Sequence, residues 1–428
     1  MYNEMIKDLK NKSICILGFG KEGKSTYNYL TKHGITNIKV HDKIEQDVDG
    51  VYGDIYLDNL DKYDIIIKSP GISLKDIDIS KFENKISSEL ELLLEYSKCT
   101  IIGITGSKGK STTTSLIYEM LKANQLDTYL LGNIGIPIFD YLDSFKEDSY
   151  LVIEMAALQL EYVKHSPHIG VITNLFEEHL DHFGTLEKYY NAKLNIFKYQ
   201  SSNDYSIYSH DNKELDTIMK DKYKGHKIPV SLDDIKDNYI TIDEEKIYDI
   251  NNKRNLIGKH NLMNIIMALN VAKILKLDIN KCIMAITNFK PLPHRMENVG
   301  TYDGVTYYDD AIATIPEATI DCIDALGNVD TLITGGKDRG IDYQVLIDYI
   351  NSSNVSNVIC MPETGYRIEP YITKNTYKIV ELEDAVNLAK KVTKKGSICL
   401  LSPSASSYNK FKNFEEKGNY FQKYVKSE

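Results

Sequence analysis

"CTIIGITGSKGKSTTT", residues 99–114, runs from an apolar stretch through a glycine loop into a run of hydroxyl residues. A strand that turns on glycines into a helix presents backbone N–H groups to an anion, and a lysine at the turn adds charge for terminal phosphates. The strict P-loop expression asks for glycine five residues before Gly109, and Ile104 stands there instead. An earlier loop, "GFGKEGKST" at 18–26, satisfies that expression and also the GxGxxG dinucleotide pattern. By itself the earlier loop fits a dinucleotide turn, a triphosphate cradle, or a plain turn in which Lys24 and Ser25 begin an exposed helix from about Ser25. Asp42, after the strand-like "IKV", stands about 20 residues on, where an acid binds a ribose.

The second loop has better company. Glu154 follows "YLVI", and "NLFEEHLDHFG" (174–184), which carries His179, follows "GVIT". In an open α/β sheet ligands gather at the carboxyl ends of strands, so both residues are expected to converge on the loop. A magnesium ion on β- and γ-phosphates needs a hydroxyl such as Ser111 and a carboxylate. Glu154 as a buried ion-pair acid and His179 as a helix cap are the plainer readings. They leave unexplained why these groups all fall at the ends of consecutive strands.

Working outward, apolar runs alternate with amphipathic stretches along nearly the whole chain, the pattern of α/β layers with mainly parallel sheets. Three blocks separate: 1–95, with "SICILGFG" and "DIIIKSPGI"; 96–293, with the second loop, "YLVIEM" and "IGVITN"; and 294–428, with "VDTLITGG", "NVSNVICM" and "GSICLLSPSASS". Pro291 and Pro293 mark a hinge between the last two. A chain of 428 residues is expected to hold several cores. Its net charge of −10, without a basic block, argues against nucleic acid as the main partner. No apolar run is long enough to span a bilayer and the start lacks an apolar signal core, so a cytoplasmic location is expected. Cys15, Cys99, Cys282, Cys322, Cys360 and Cys399, scattered without CxxC spacing, read as reduced, buried thiols.

"GITGSKGKSTT", "VIEMAALQLE", "ITNLFEEHLDHFG", "YYNAKLNIF", "GKHNLMN", "LPHRME" and "LLSPSASSYNKFKNFEEKGNYF" together, in order along the chain, resemble the Mur ligases, above all the members that add glutamate. The resemblance implies three domains: an N-terminal Rossmann-like domain for a UDP-linked substrate, a central P-loop ATPase, and a C-terminal Rossmann-like domain for glutamate. It implies an ATP-dependent ligase of cytoplasmic peptidoglycan precursor synthesis, joining glutamate to UDP-N-acetylmuramoyl-L-alanine, D-glutamate favoured. Small-molecule substrates, two Mg²⁺ sites and a monomer go with it.

By matched position, Gly106, Ser107, Lys108, Gly109, Lys110, Ser111 and Thr112 would surround the phosphates, with Lys110 on the β- and γ-phosphates. Asn261 and Asn264 would contact adenine, and Arg295 and Asp310 would lie near the ribose and phosphates. Ser111 and Glu154 would bind the first magnesium, and His179 the second. Lys193 matches a lysine that this family carbamoylates, which turns a cation into an anion near the second metal. Gly18, Phe19, Gly20, Asp42, Ser69, Pro70, Gly71 and Asn133 would hold the UDP substrate. Thr314, Arg339, Ser407 and the Phe414 backbone would hold glutamate.

Three departures bear on substrate identity. The family's "SSFQL" reads "AALQL" here, with Ala156, Ala157 and Leu158. Its "DSKAT" reads "DAIAT", so Ile312 replaces a cation, while "GGKDRG" supplies Lys337 and Arg339. These changes resemble a branch that adds L-glutamate. Folylpolyglutamate synthetase shares the ATPase core but not the extra N-terminal domain. An NAD-dependent oxidoreductase built on the first loop leaves the second block unexplained, and a noncatalytic regulator leaves Lys110, Glu154, His179 and Lys193 without a purpose.

Overall fold

The computed structural model describes residues 2–133, 136–220 and 222–427, without the side chain of Asp181. Its first sheet is parallel and ordered β3-β2-β1-β4-β5, with β1 (Ile14–Leu17), β2 (Ile38–Asp42), β3 (Gly50–Tyr52), β4 (Ile65–Lys68) and β5 (Ile86–Ser87). The order reverses between β1 and β4, where Leu17 pairs with Lys68. The loops that leave these two strands are therefore neighbours at the carboxyl edge, the usual ligand position of a doubly wound sheet.

The second sheet is also parallel and ordered β11-β10-β9-β6-β8-β7. Its strands are β6 (Thr100–Thr105), β7 (Thr128–Gly132), β8 (Tyr150–Glu154), β9 (Ile169–Ile172), β10 (Tyr205–Ser209) and β11 (His226–Val230). Residues of β9 are buried throughout and those of β8 nearly so, as expected of parallel strands covered on both faces, which read as continuous apolar runs. Here β6 lies between β8 and β9, with Ile104 opposite Glu154 and Thr105 opposite Ile172. That register brings the glycine loop after β6, Glu154 and the segment from Thr173 to one edge.

The last sheet is ordered β15-β16-β20-β17-β18-β19. Before it come three short antiparallel strands, β12 (Ile235–Lys236), β13 (Tyr239–Ile242) and β14 (Glu245–Asp249). The last six strands are β15 (Glu297–Tyr302), β16 (Val305–Asp309), β17 (Val329–Thr334), β18 (Asn357–Cys360), β19 (Asn375–Lys378) and β20 (Ile398–Leu401). Only β15 is antiparallel, turned back onto β16 by Asp303 and Gly304, both at positive φ as a two-residue hairpin turn requires. The antiparallel pieces depart from the parallel pattern of the sequence because they are short and joined by tight turns at Asp237–Asn238, Asp243–Glu244 and Asp303–Gly304 instead of by helices.

By internal contacts the chain divides into two compact units, 1–251 with 263–286, and 252–262 with 287–428. The first holds the first two sheets and the three-stranded sheet, and the second holds the last sheet. Pro291 and Pro293 fall inside the second unit. All six cysteines are buried and free. No helix among the described residues is long and apolar enough to cross a membrane.

Candidate active site

The loop after β6 is fixed by the residues that follow β9. Gly106, at φ +144°, admits no side chain, since a Cβ there would lie 1.9 Å from Thr173 Oγ1. The Thr173 hydroxyl donates to the Lys108 carbonyl at 2.6 Å. Asn174 accepts the Ser107 and Lys108 N–H groups on Oδ1, at 3.2 and 2.9 Å, and returns a bond from Nδ2 to the Lys108 carbonyl. Gly109, at φ +83°, ends the loop, and the helix Lys110–Ala123 begins at the next residue. Lys110 therefore stands in the first turn, where backbone N–H groups lack helical partners. Ser111 and Thr112 follow it, both buried. Asn264 packs against this turn: its Oδ1 accepts from Thr113 Oγ1 at 3.2 Å, and a Cβ on Gly109 would meet it at 2.6 Å.

Two lysines meet at one carbonyl. Lys110 Nζ donates to Gly106 O at 2.9 Å and to Ser107 O at 3.0 Å, while Lys193 Nζ donates to Gly106 O at 2.7 Å. Lys193 lies on the helix Leu186–Lys198 and is 2% exposed. Burial, and then the charge of Lys110, hold its pKa well below the usual lysine value, with Glu178 and Glu154 acting in the opposite sense. Tyr189, one turn earlier, lies under the Lys193 ammonium at 4.8 Å and meets the Ser107 hydroxyl at 3.2 Å.

Glu154, at the end of β8, accepts from Asn133 Nδ2 on Oε1 at 2.9 Å. Its Oε2 is buried and has no hydrogen-bond partner among the described residues. A buried carboxylate oxygen without a donor is costly unless a cation or ligand meets it. That oxygen, the Ser111 hydroxyl and the phosphate-type loop fit a magnesium site completed by phosphate oxygens, since Mg²⁺ usually takes few protein ligands. His179, at φ +56°, precedes the short helix Leu180–Phe183, and its Nε2 lies 3.7 Å from Glu178 Oε2. Glu178 is buried beside it.

The first loop has a different architecture. Its helix, Lys21–Lys32, starts four residues before the expected Ser25, because the extended Gly20 turns straight into it. Lys24 and Ser25 thus lie past the first turn. Lys24 is exposed and rests over the Phe19 ring at 5.8 Å, and the Ser25 hydroxyl is bound to Asp140 Oδ1 at 2.6 Å. Lys24 thus does not reach back to its own loop's carbonyls as Lys110 does. Gly18, at φ +90°, packs against Ser69 and Ile72, and the Ser69 hydroxyl donates to the Gly18 carbonyl at 2.8 Å. The Asp42 carboxylate accepts the Phe19 and Ile44 N–H groups at 2.6 and 2.8 Å. Gly18 to Gly20, Asp42 and Ser69 to Gly71 thus form one cluster across the β1 and β4 loop ends. Glu22, from this loop, accepts from Gln159 Nε2 at 2.8 Å, and the buried Lys68 pairs with Glu161 at 3.6 Å. Ala156 N donates to Gln159 Oε1 at 3.0 Å, while Ala157 is buried and Leu158 half-buried. Ile134 and Gly135, directly after Asn133, lie outside the described residues.

The remaining expected residues belong to the second unit. Asn261 Nδ2 donates to the Ile257 carbonyl at 2.7 Å. Asp310 follows β16 and is buried; it accepts from Ser402 Oγ at 2.9 Å and from Met296 N–H at 3.2 Å. Burial pushes its carboxyl up to about 7, against the pull of Ser402, Met296 N–H and the Arg295 charge. Thr314, Ile312 and Arg339 are half-buried. Ser407 is buried, and its hydroxyl has no partner among the described residues. Phe414 is the first residue of the helix Phe414–Lys426. Among the described residues one cluster of three metal-type donors lies within 4.8 Å, His294, Glu297 and Asp309. Asp309 Oδ2 is taken by His294 Nδ1 at 2.7 Å and by Gln422 Nε2, and Glu297 Oε2 by the His294 N–H and Gln422 Nε2.

The sequence reading passed over Thr173, Asn174, Glu178 and Tyr189. The first two stand directly after an apolar strand run, so the same strand-end logic that singled out Glu154 applies to them.

Residues 104–272 match the family model of the Mur ligase middle domain, and residues 12–87 that of the Mur ligase MurD-like N-terminal domain. A relative from Clostridium botulinum (strain Okra / Type B1), named UDP-N-acetylmuramoylalanine–D-glutamate ligase, is 34% identical over 98% of this chain and 97% of its own. One of the same name from Oenococcus oeni (strain ATCC BAA-331 / PSU-1) is 33% identical over 98% of each. Among solved structures, the MurF ligase of Thermotoga maritima in complex with ADP shares the fold at a TM-score of 0.62 and 19% identity, covering 98% of this chain and 96% of that one. A Mycobacterium tuberculosis folylpolyglutamate synthase reaches a TM-score of 0.58 at 12% identity, over 79% of this chain and 93% of that one. With relatives this similar along its whole length, the chain belongs to the Mur ligase family.

Proposed function

We propose that the protein is an ATP-dependent ligase that joins D-glutamate to the alanyl carboxylate of UDP-N-acetylmuramoyl-L-alanine, a cytoplasmic step of peptidoglycan precursor synthesis. Relatives of that name, similar over 98% of the chain, carry the reading. The match of residues 12–87 to a MurD-like N-terminal domain favours it over folylpolyglutamate synthetase. Our reading divides the chain into a UDP-substrate domain (1–95), a central ATP domain (96–293) and a glutamate domain (294–428), acting as a monomer on small molecules.

A carboxylate is a poor acyl donor. The acceptor oxygen first attacks the γ-phosphorus of ATP, and ADP leaves with the bond that breaks. Lys110 and the N–H groups where the loop enters its helix, from Gly109 to Thr112, offset the charge that crowds there. The glutamate amine then attacks the acyl-phosphate carbonyl, and inorganic phosphate departs from the tetrahedral intermediate. Bound Mg²⁺ supplies further neutralisation of phosphate charge, and Ser111, Glu154 and His179 are the residues to hold it. Lys193 as a carbamate would exchange a buried cation for an anion beside Glu178 and Glu154. Asn261, Asn264, Arg295 and Asp310 are assigned to the nucleoside, the cluster around Gly18, Asp42 and Ser69, with Asn133, to the UDP substrate, and Thr314, Arg339, Ser407 and Phe414 to glutamate. The buried hydroxyls of Ser406 and Ser407, without partners among the described residues, support a polar ligand at that last group.

The test is phosphate release from ATP with UDP-muramoyl-alanine or a folate, each with D- or L-glutamate. Release that needs the muramoyl nucleotide and D-glutamate is expected. Preference for L-glutamate would assign the enzyme to the other branch, and no release with any muramoyl nucleotide would overturn the reading.

A further inference from the structure

We infer that Lys417 is a positioning residue for the amino-acid substrate, tying the glycine loop that carries Arg339 to the helix that begins at Phe414. The inference rests on the proposed function, because it concerns how that substrate's site is held in shape.

Lys417 is 2% exposed, a depth at which a lysine needs a definite partner. Its Nζ donates to the Gly335 carbonyl at 2.8 Å, its one hydrogen-bond acceptor among the described residues. Burial draws its pKa down to about 7, and the Asp309 carboxylate acts to raise it. The conformation of Gly335 is set from the other side. At φ +126° only glycine fits, and a Cβ would stand 2.2 Å from the Met361 carbonyl. Gly335 N–H donates to Pro403 O at 3.0 Å and Lys337 N–H to Ser406 O at 2.8 Å, so the loop is also laced to the segment that carries Ser407.

The helix end of the tie is equally constrained. Gly418 lies so close to the strand end that a Cβ would fall 2.1 Å from His294 Nδ1 and 2.8 Å from Asp309 Oδ2. Gln422 Nε2 donates to Asp309 Oδ2 at 2.9 Å, one turn further along. At the N-terminus the Asn413 side chain caps the helix by accepting Glu416 N–H at 2.9 Å. Phe414, with a backbone N–H assigned to glutamate, is therefore fixed relative to β16, and Lys417 transmits that position to the Arg339 loop. Four methylenes and a buried donor bridge the two sides. Without the donor, the Gly335 carbonyl loses its partner in the interior and the loop is freed from the helix.

The experiment measures KM for glutamate, ATP and the muramoyl nucleotide in the full-length enzyme and in Lys417→Met, which keeps an unbranched apolar stem and removes the donor. KM for glutamate is expected to rise about tenfold or more, as displacement of a positioning group by about 1 Å does, with the other two constants within about twofold. Lys417→Arg, which restores a donor, should recover most of the loss. In a double variant with Arg339→Ala, KM should rise no further than in the worse single variant, because both act through one loop. Lys417→Gln, too short to span the gap, is read for the same split if Lys417→Met does not fold. Equal rises in all three constants, an unchanged KM for glutamate, or full additivity with Arg339→Ala would each overturn the inference. A wild-type enzyme with no glutamate-dependent phosphate release would overturn the proposed function instead.

Discussion

Lys110 and Lys193 donate to the same backbone oxygen, that of Gly106, at 2.9 and 2.7 Å. Two ammonium groups on one carbonyl repel each other, and the inner one is also stripped of water. The arrangement is relieved when Lys110 turns to phosphate and when Lys193 changes charge. A neutral amine reacts with carbon dioxide to give a carbamate and a proton, and burial favours the neutral amine that this needs. Lys193→Ala is expected to lower phosphate release about 10- to 100-fold, the usual cost of losing a supporting group beside a metal site. Formate or acetate should restore part of it by supplying the missing carboxylate. Equal inactivity with and without short carboxylic acids would count against the carbamate.

Glu154 carries a second, separable prediction. Its Oε2 is buried with no hydrogen-bond donor among the described residues, a place that a cation or a ligand can fill. Glu154→Gln keeps the shape and the contact with Asn133 while removing the charge. Activity should fall by about 100-fold or more, as for loss of an electrostatic group at a reacting phosphate. Stability without ligands should hold or rise by about 1 kcal/mol, the order of a relieved buried polar group. Urea unfolding of the ligand-free proteins checks this, and a clear loss of stability would mean that Glu154 is paired in the free enzyme.

The two glycine loops can be told apart by lysine replacement. Lys110→Ala should reduce phosphate release about 10²- to 10³-fold, whereas Lys24→Ala, exposed over Phe19, should leave it within about threefold. Any effect of Lys24→Ala should appear in KM for the muramoyl nucleotide. Ser25→Ala should cost about 0.5–1.5 kcal/mol of stability by breaking the bond to Asp140, with little effect on ATP turnover. A collapse of turnover in Lys24→Ala would move the triphosphate to the first loop.

Much of this was legible in the chain because the signals are local. "SICILGFG", "YLVIEM", "IGVITN" and "VDTLITGG" read as buried strands, and strand ends marked Gly106, Glu154 and the segment around His179, which the sheet register then brings to one edge. Pairings across distance and against type were not legible. Lys417 sits on a helix in which charged and polar residues recur among the apolar ones, so nothing local distinguishes a buried lysine from its exposed neighbours. His294 and Asp309 are 15 positions apart, and their pairing depends on β15 folding back onto β16. The strands from Ile235 to Asp249 are two, four and five residues long, and periodicity says little about segments that short.

The His294 and Asp309 pair also makes stability depend on pH in a predictable sense. The Asp309 bond raises the His294 pKa above its ordinary value, ahead of the opposing effect of burial, with Glu297 and Glu415 adding to the rise. Lys417, Gln422 and Gly418 on the C-terminal helix face the same carboxylate, and Lys417 is the cation among them. A histidine whose pKa is higher folded than unfolded binds its proton more tightly in the native state. Its contribution is fully present below the unfolded value near 6.5 and is lost as pH rises through the folded value. Urea midpoints measured from pH 5 to pH 9 should therefore decline for the wild type through that window, after the Lys417 background is removed by comparison with His294→Gln. In His294→Gln the midpoint should be lower at pH 5 and the difference should shrink toward pH 9. A difference that grows with pH would mean that His294 is held neutral in the folded protein, and that the bond to Asp309 does not outweigh burial.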